Sequence, residues 1–154
     1  MNQAEATSEP SPQPFALSTD QQLAERRATI LLVEDETLVR EAMCETLVWV
    51  GYRVLKANDS AEARAVFRRC QRVVSLLLTD VVLPDQNGND LARELRIMRP
   101  ELKAILISGY PENAVTRRAS TEAGMFYLPK PFTTDSLVQK VRLALAEEIT
   151  DVAI

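Results

Sequence analysis

The chain has 154 residues, 46 % of them hydrophobic and 26 % charged, which fits one domain with an adequate core and excludes a disordered or fibrous protein. The net charge is −4 and the arginines are scattered (Arg68, Arg69, Arg72; Arg93, Arg96, Arg99; Arg117, Arg118), so no basic block marks a nucleic-acid surface. Histidine is absent, which excludes His-based catalysis.

Residues 1–27 read as a tail. Pro10, Pro12 and Pro14 alternate with Ser and Gln, the signature of a disordered or extended segment, and "STDQQLAERR" can add a helical turn capped by Ser18 or Thr19. The N-terminus lacks a basic start followed by an apolar core, and no run approaches the ~18–20 apolar residues of a membrane span, so the expected location is the cytoplasm, with no membrane contact.

From residue 28 to 148 short apolar runs alternate with helix-spaced stretches, the pattern of a parallel α/β sheet. The expected strands are Thr29–Val33, Arg53–Ala57, Ser75–Thr79, Ala104–Ser108 and Phe126–Leu128. The expected helices are Glu36–Val50, Ser60–Cys70, Asn89–Met98, Glu112–Ala123 and Thr134–Glu147; residues 149–154 are a short tail. In the first helix Val39, Met43, Leu47 and Val50 form one apolar face, with Trp49 off it and partly exposed. The fourth helix offers only Val115 and alanines for burial and is therefore expected to be the mobile element. Cys44 and Cys70 lie in helices without a C-x-x-C spacing and read as small packing residues, not as a redox or zinc pair. Gly51 and Gly124 follow helices, where a positive φ is wanted; Gly88 and Gly109 are placed where the backbone must turn tightly.

The strand ends carry the chemistry. In a doubly wound sheet, ligands bind beyond the carboxyl ends of the strands. Here strand one ends in Glu34, Asp35 and Glu36, strand three in Asp80, strand four in Ser108, and strand five is followed by Pro129, Lys130 and Pro131. Carboxylate pairs roughly 5 Å apart repel by about 3 kcal/mol at an effective dielectric of ~20, so positive charge belongs among them. Lys130 offsets one carboxylate, and a hard divalent cation such as Mg²⁺ suits the rest. With Mg²⁺ bound, Asp80 could attack phosphorus to form an acyl phosphate while Lys130 and Ser108 hold phosphoryl oxygens.

These residues lie in "ILLVEDE", "LLLTDVVLPDQNG", "ILISGY" and "YLPKPF", separated by 45 residues from Asp35 to Asp80, 28 to Ser108 and 22 to Lys130. From about Thr29 to Glu147 the chain resembles the receiver domain of bacterial two-component response regulators, of the chemotaxis-regulator type. The resemblance implies a flavodoxin-like (βα)₅ fold: a doubly wound, five-stranded parallel sheet in a three-layer α/β/α sandwich. It implies phosphorylation of Asp80 by a histidine kinase or phosphotransfer protein, and Mg²⁺ held by Asp35, Asp80 and the Val82 carbonyl with Glu34 assisting. It further implies a cis Lys130–Pro131 bond and a switch pair, Ser108 and Tyr127, that reports phosphorylation. The downstream partner would be a protein bound on the face of the fourth helix, last strand and last helix. The resemblance also allows a homodimer of the phosphorylated form, and it describes a signalling switch that assists its own phosphorylation and dephosphorylation rather than an enzyme.

Two positions depart from the common pattern. Val82 puts a branched apolar side chain where attacking water must pass, which predicts slow dephosphorylation, and Tyr110 sets a large side chain beside the site. Glu36 reads as a first-turn dipole partner, and Asp85 and Asn87 as the turn before the third helix.

The last helix ends shortly before Ile154, which leads to the expectation of a binding output with no attached effector domain. The competing reading within the family is the receiver of a hybrid histidine kinase, which the Pro-rich tail also fits as a linker. Outside it, a haloacid-dehalogenase-type phosphatase would want an Asp at position 82, and a flavin-binding or structural flavodoxin-like module gives no reason for four charged residues at one edge.

Overall fold

The computed structural model describes residues 28–109 and 122–146. Five strands, β1 (Thr29–Val33), β2 (Arg53–Ala57), β3 (Val74–Asp80), β4 (Lys103–Ser108) and β5 (Met125–Pro129), form one sheet. Among the described residues the helices are α1 (Thr37–Val50), α2 (Ser60–Cys70), α3 (Gly88–Met98) and α4 (Thr134–Ala146). Predicted boundaries move by at most one residue, and β1, β2 and α2 keep theirs. The predicted helix Glu112–Ala123, including Val115, lies outside the described residues except for its last two positions, and so does Tyr110.

All strands are parallel in the order β2-β1-β3-β4-β5. The first connection runs from β1 outward to β2, and later ones run the other way, so the order reverses between β1 and β3. This is the flavodoxin-like, doubly wound arrangement, and its switch point opens beyond the carboxyl ends of those two strands. Both central strands are covered on both faces, which explains why they read as apolar runs without alternation.

Two cores follow from the period-2 side-chain alternation. Leu31, Leu77 and Leu106 face α2 and α3, packing with Phe67, Leu91 and Leu95. Ile30, Leu32, Leu78 and Ile105 face α1 and α4, packing with Met43, Leu47, Leu137 and Val141. The predicted α1 face thus packs as expected, whereas Trp49 is 89 % exposed, more than its position off that face suggested. Cys44 packs against one core and Cys70 against the other, on opposite sides of the sheet, and both are free thiols.

Gly51, the C-cap of α1, adopts a φ of 121°, as a helix-ending glycine should, and Gly124, in the turn before β5, adopts a φ of 81°; the helix expected before Gly124 lies outside the described residues but for its last two positions. Gly88 differs from expectation: its φ is not positive, and glycine is required because a Cβ would run into the Asp80 carbonyl. Gly109 lies in a bend directly after β4, with open space around a Cβ and no positive φ, so neither crowding nor backbone sign demands glycine there.

Candidate functional site

The sheet brings the predicted residues to one edge. Glu34, Asp35 and Asp80 each offer a carboxylate oxygen, and these atoms lie within 4.8 Å of one another. Asp80 is 6 % exposed at the last position of the central strand. Its Oδ2 accepts a hydrogen bond from Lys130 Nζ at 2.6 Å, and its Oδ1 accepts the Val82 backbone N–H at 3.1 Å. Lys130 precedes Pro131 through a cis peptide bond, as the resemblance implied. Burial alone would depress the Lys130 ammonium, but its hydrogen bond to Asp80 and the charges of Asp80, Glu34 and Glu36 outweigh that and leave its pKa raised.

Glu34 is 1 % exposed. Its Oε1 accepts the Glu36 amide at 3.1 Å, while its Oε2 is buried with no hydrogen-bond partner among the described residues. Burial pushes its carboxyl up to about 7; the Glu36 amide opposes this and the Asp80 charge adds to it. A buried carboxylate oxygen left unsatisfied is costly, and beside two further carboxylates it fits an oxygen-loving cation. The donor set, all oxygen with exposed Asp35 at the rim, matches a hard divalent ion such as Mg²⁺ and offers nothing to a soft metal.

Ser108, 1 % exposed, ends β4. Its carbonyl accepts both the Lys130 amide at 2.8 Å and the Tyr127 hydroxyl at 3.0 Å. The backbone of the predicted switch serine is therefore tied to the predicted aromatic and to the lysine segment. Val82 is 62 % exposed at the mouth of the site.

Several supporting contacts are not legible in the sequence. Arg40 on α1 donates to the Glu34 carbonyl at 2.9 Å, fixing the end of β1. Asp85, expected to form only a local turn, instead accepts the Ser60 and Ala61 amides at 3.0 Å each, at the N-terminus of α2. Asn87 does act locally, accepting the Asn89 amide at 2.8 Å as the α3 cap. Glu36 is the cap residue of α1 but makes no side-chain cap bond.

The sequence profile described as "Response regulator receiver domain" matches residues 30–142. An oxygen-lined carboxylate and lysine cleft on a doubly wound sheet defines a class of α/β signalling modules, and the chain belongs to the response regulator receiver family. Sensor kinase CckA of Brucella abortus is 38 % identical over 121 residues, which are 79 % of this chain and 13 % of that protein. Response regulator receiver protein CpdR of the same organism is 33 % identical over 117 residues, 75 % of this chain and 95 % of that protein. Among solved structures, the receiver domain of the hybrid histidine kinase CckA superposes with a TM-score of 0.67 at 32 % identity, covering 77 % of this chain and all but 1 % of that one. The chain spans 13 to 25 % of the length of the first three curated relatives. Among the described residues no helix is long and apolar enough to cross a membrane.

Proposed function

We propose that this receiver is switched by phosphorylation of Asp80, donated by the phosphohistidine of a histidine kinase or phosphotransfer protein. The observation that carries this reading is the Asp80 carboxylate, held at the sheet edge by Lys130 at 2.6 Å beside Glu34 and Asp35. An Asp80 oxygen attacks phosphorus, the phosphorus–nitrogen bond of the donor breaks, and its electron pair leaves with the imidazole. The Lys130 ammonium then pairs with a phosphoryl oxygen, and the Ser108 hydroxyl binds another. Asp35, Asp80, the Val82 carbonyl and Glu34 would hold Mg²⁺, which when bound supplies positive charge against the incoming phosphoryl oxygens.

Tyr127 and Ser108 share a hydrogen bond through the Ser108 carbonyl, which supports their reading as the reporting pair. Their neighbours on β5 and α4 would then form part of the surface read by a downstream protein. The cytoplasm suits both this donor and the free cysteines.

Incubation with acetyl phosphate, with and without Mg²⁺, tests the reading. The expected result is a base-labile phosphoryl group that requires Mg²⁺ and is absent in Asp80→Asn; equal modification of Asp80→Asn rejects it. The match to CckA favours a second arrangement, a receiver inside a hybrid kinase, with the same chemistry. The coding frame upstream of Met1 separates the two.

A further inference from the structure

A second concavity lies away from the phosphoryl site, between α1 and α4, which pack side by side on one face of the sheet. It encloses about 510 Å³. Trp49 and Val50 on α1 and Val138 on α4 supply its apolar surface, with Glu45 on one wall and Asp135 and Arg142 on the other. Trp49 stands 89 % exposed at its edge. A large aromatic left in water beside an apolar groove forgoes burial that is worth a few kcal/mol, so the groove calls for an occupant.

We propose that this groove is the seat of the chain's own N-terminal arm, residues 15–27, packed across Trp49. The entry point of the chain supports this occupant. Ala28 is buried in the same core as the inner faces of α1 and α4, beside residues such as Leu47, Tyr52 and Ala144. Its carbonyl accepts the Arg53 amide at 3.0 Å, three residues beyond the Val50 end of the groove. The arm therefore joins the fold on the groove's own side of the sheet and at its own end.

Reach and chemistry agree with that position. Leu23 lies five residues before Ala28 in the sequence, about 17 Å at full extension, while Val50 to Glu45 covers only about 8 Å of helix. The arm's apolar residues nearest the fold are Phe15, Leu17 and Leu23, enough to cover one indole and two valines. Its cations, Arg26 and Arg27, adjoin the entry point and are opposite in sign to Glu45 and Asp135, while its acids, Asp20 and Glu25, are opposite in sign to Arg142, which also lines the groove. A tethered segment needs little intrinsic affinity, because its effective concentration at a groove this close is in the millimolar range.

Trp49 is the only tryptophan in the chain, so its fluorescence reports on the groove without a label. The observed quenching is a population-weighted mean of covered and open states, so a mostly docked arm lowers the acrylamide quenching constant by about half or more. The experiment compares the full chain with full-chain Leu17→Asp/Leu23→Asp and with Arg26→Glu/Arg27→Glu, at several protein concentrations. Circular dichroism verifies that each variant keeps its fold. The expected result is a blue-shifted, protected Trp49 in the wild type, independent of concentration, with protection lost in the apolar variant and weakened in the charge variant. Equal quenching in wild type and the apolar variant overturns the proposal. Protection that disappears on dilution also overturns it, and assigns the groove to a second copy of the chain.

Discussion

At the residue scale, two positions around Asp80 separate chemistry from packing. Val82 holds Asp80 through its backbone amide, and its side chain is 62 % exposed at the mouth of the site. Val82→Asn keeps the amide and replaces an apolar screen with a group that can hold water. Acyl-phosphate hydrolysis is therefore expected to accelerate about tenfold, equivalent to about 1.4 kcal/mol of barrier, measured as loss of phosphoryl label with time. An unchanged half-life would remove Val82 from the account of phosphoryl lifetime. Gly88 acts through the backbone: a Cβ there overlaps the Asp80 carbonyl and comes within 3.1 Å of Thr79 Oγ1. Gly88→Ala is expected to cost about 1–3 kcal/mol in chemical denaturation and to slow phosphorylation further, because the atom that must yield belongs to Asp80 itself. The charged residues of the site were legible because each ends a strand, where a carboxylate or ammonium conflicts with the apolar run before it. The reason for Gly88 was not, since the crowding atom is eight residues away and a sequence shows a glycine without its neighbour.

At the element scale, the loop from Val81 to Asn87 is fastened at both ends and at its tip. Its base closes through the Gly88 amide to the Val81 carbonyl at 2.7 Å. Gln86 donates to Glu94 at 2.6 Å and accepts from Arg64, which in turn pairs with Glu94 at 2.8 Å, so loop, α2 and α3 form one closed triangle. Asp85 covers the first two amides of α2 while Asp59 takes the third, at 2.8 Å from the Glu62 amide. The helix N-terminus is thereby capped by two carboxylates. The Ser60 side chain and the Ser60 and Ala61 amides hold the Asp85 carboxyl down, to about 2. The Ser60 hydroxyl makes no aligned hydrogen bond, so the amides supply the directional contacts. A carboxyl lowered in the folded state binds its proton more readily when unfolded. Its stabilisation is full above the ordinary carboxylate range, near pH 4, and is lost as pH falls toward about 2. Asp85→Asn should lower the melting temperature at neutral pH and reduce the difference between melting at pH 5 and at pH 2.5; equal pH dependence in both proteins counts against the cap. The partners of Asp85, Gln86 and Arg64 could not be read in advance, because they lie 8 to 30 residues apart along the chain. The elements themselves could, because each carries its own period and its own stop signal.

At the scale of the whole molecule, one sheet divides two cores, and its central strands belong to both. Leu77 and Leu78 are adjacent and fully buried, yet Leu77 faces α2 and α3 while Leu78 faces α1 and α4. Each should lose about 2–5 kcal/mol on truncation to alanine, a large part of the 5–15 kcal/mol that holds a typical domain together. If the two cores folded as separate units, Leu78→Ala would shift the unfolding seen by Trp49 on the α1 side and leave the far side unchanged, and Leu77→Ala would do the reverse. Shared strands predict otherwise: in urea, Trp49 fluorescence and far-ultraviolet circular dichroism should move together in both variants, with one midpoint each. Separate midpoints would show that the faces yield independently. A common midpoint means that a displacement at Asp80, on the strand shared by both cores, is resisted by the entire sheet.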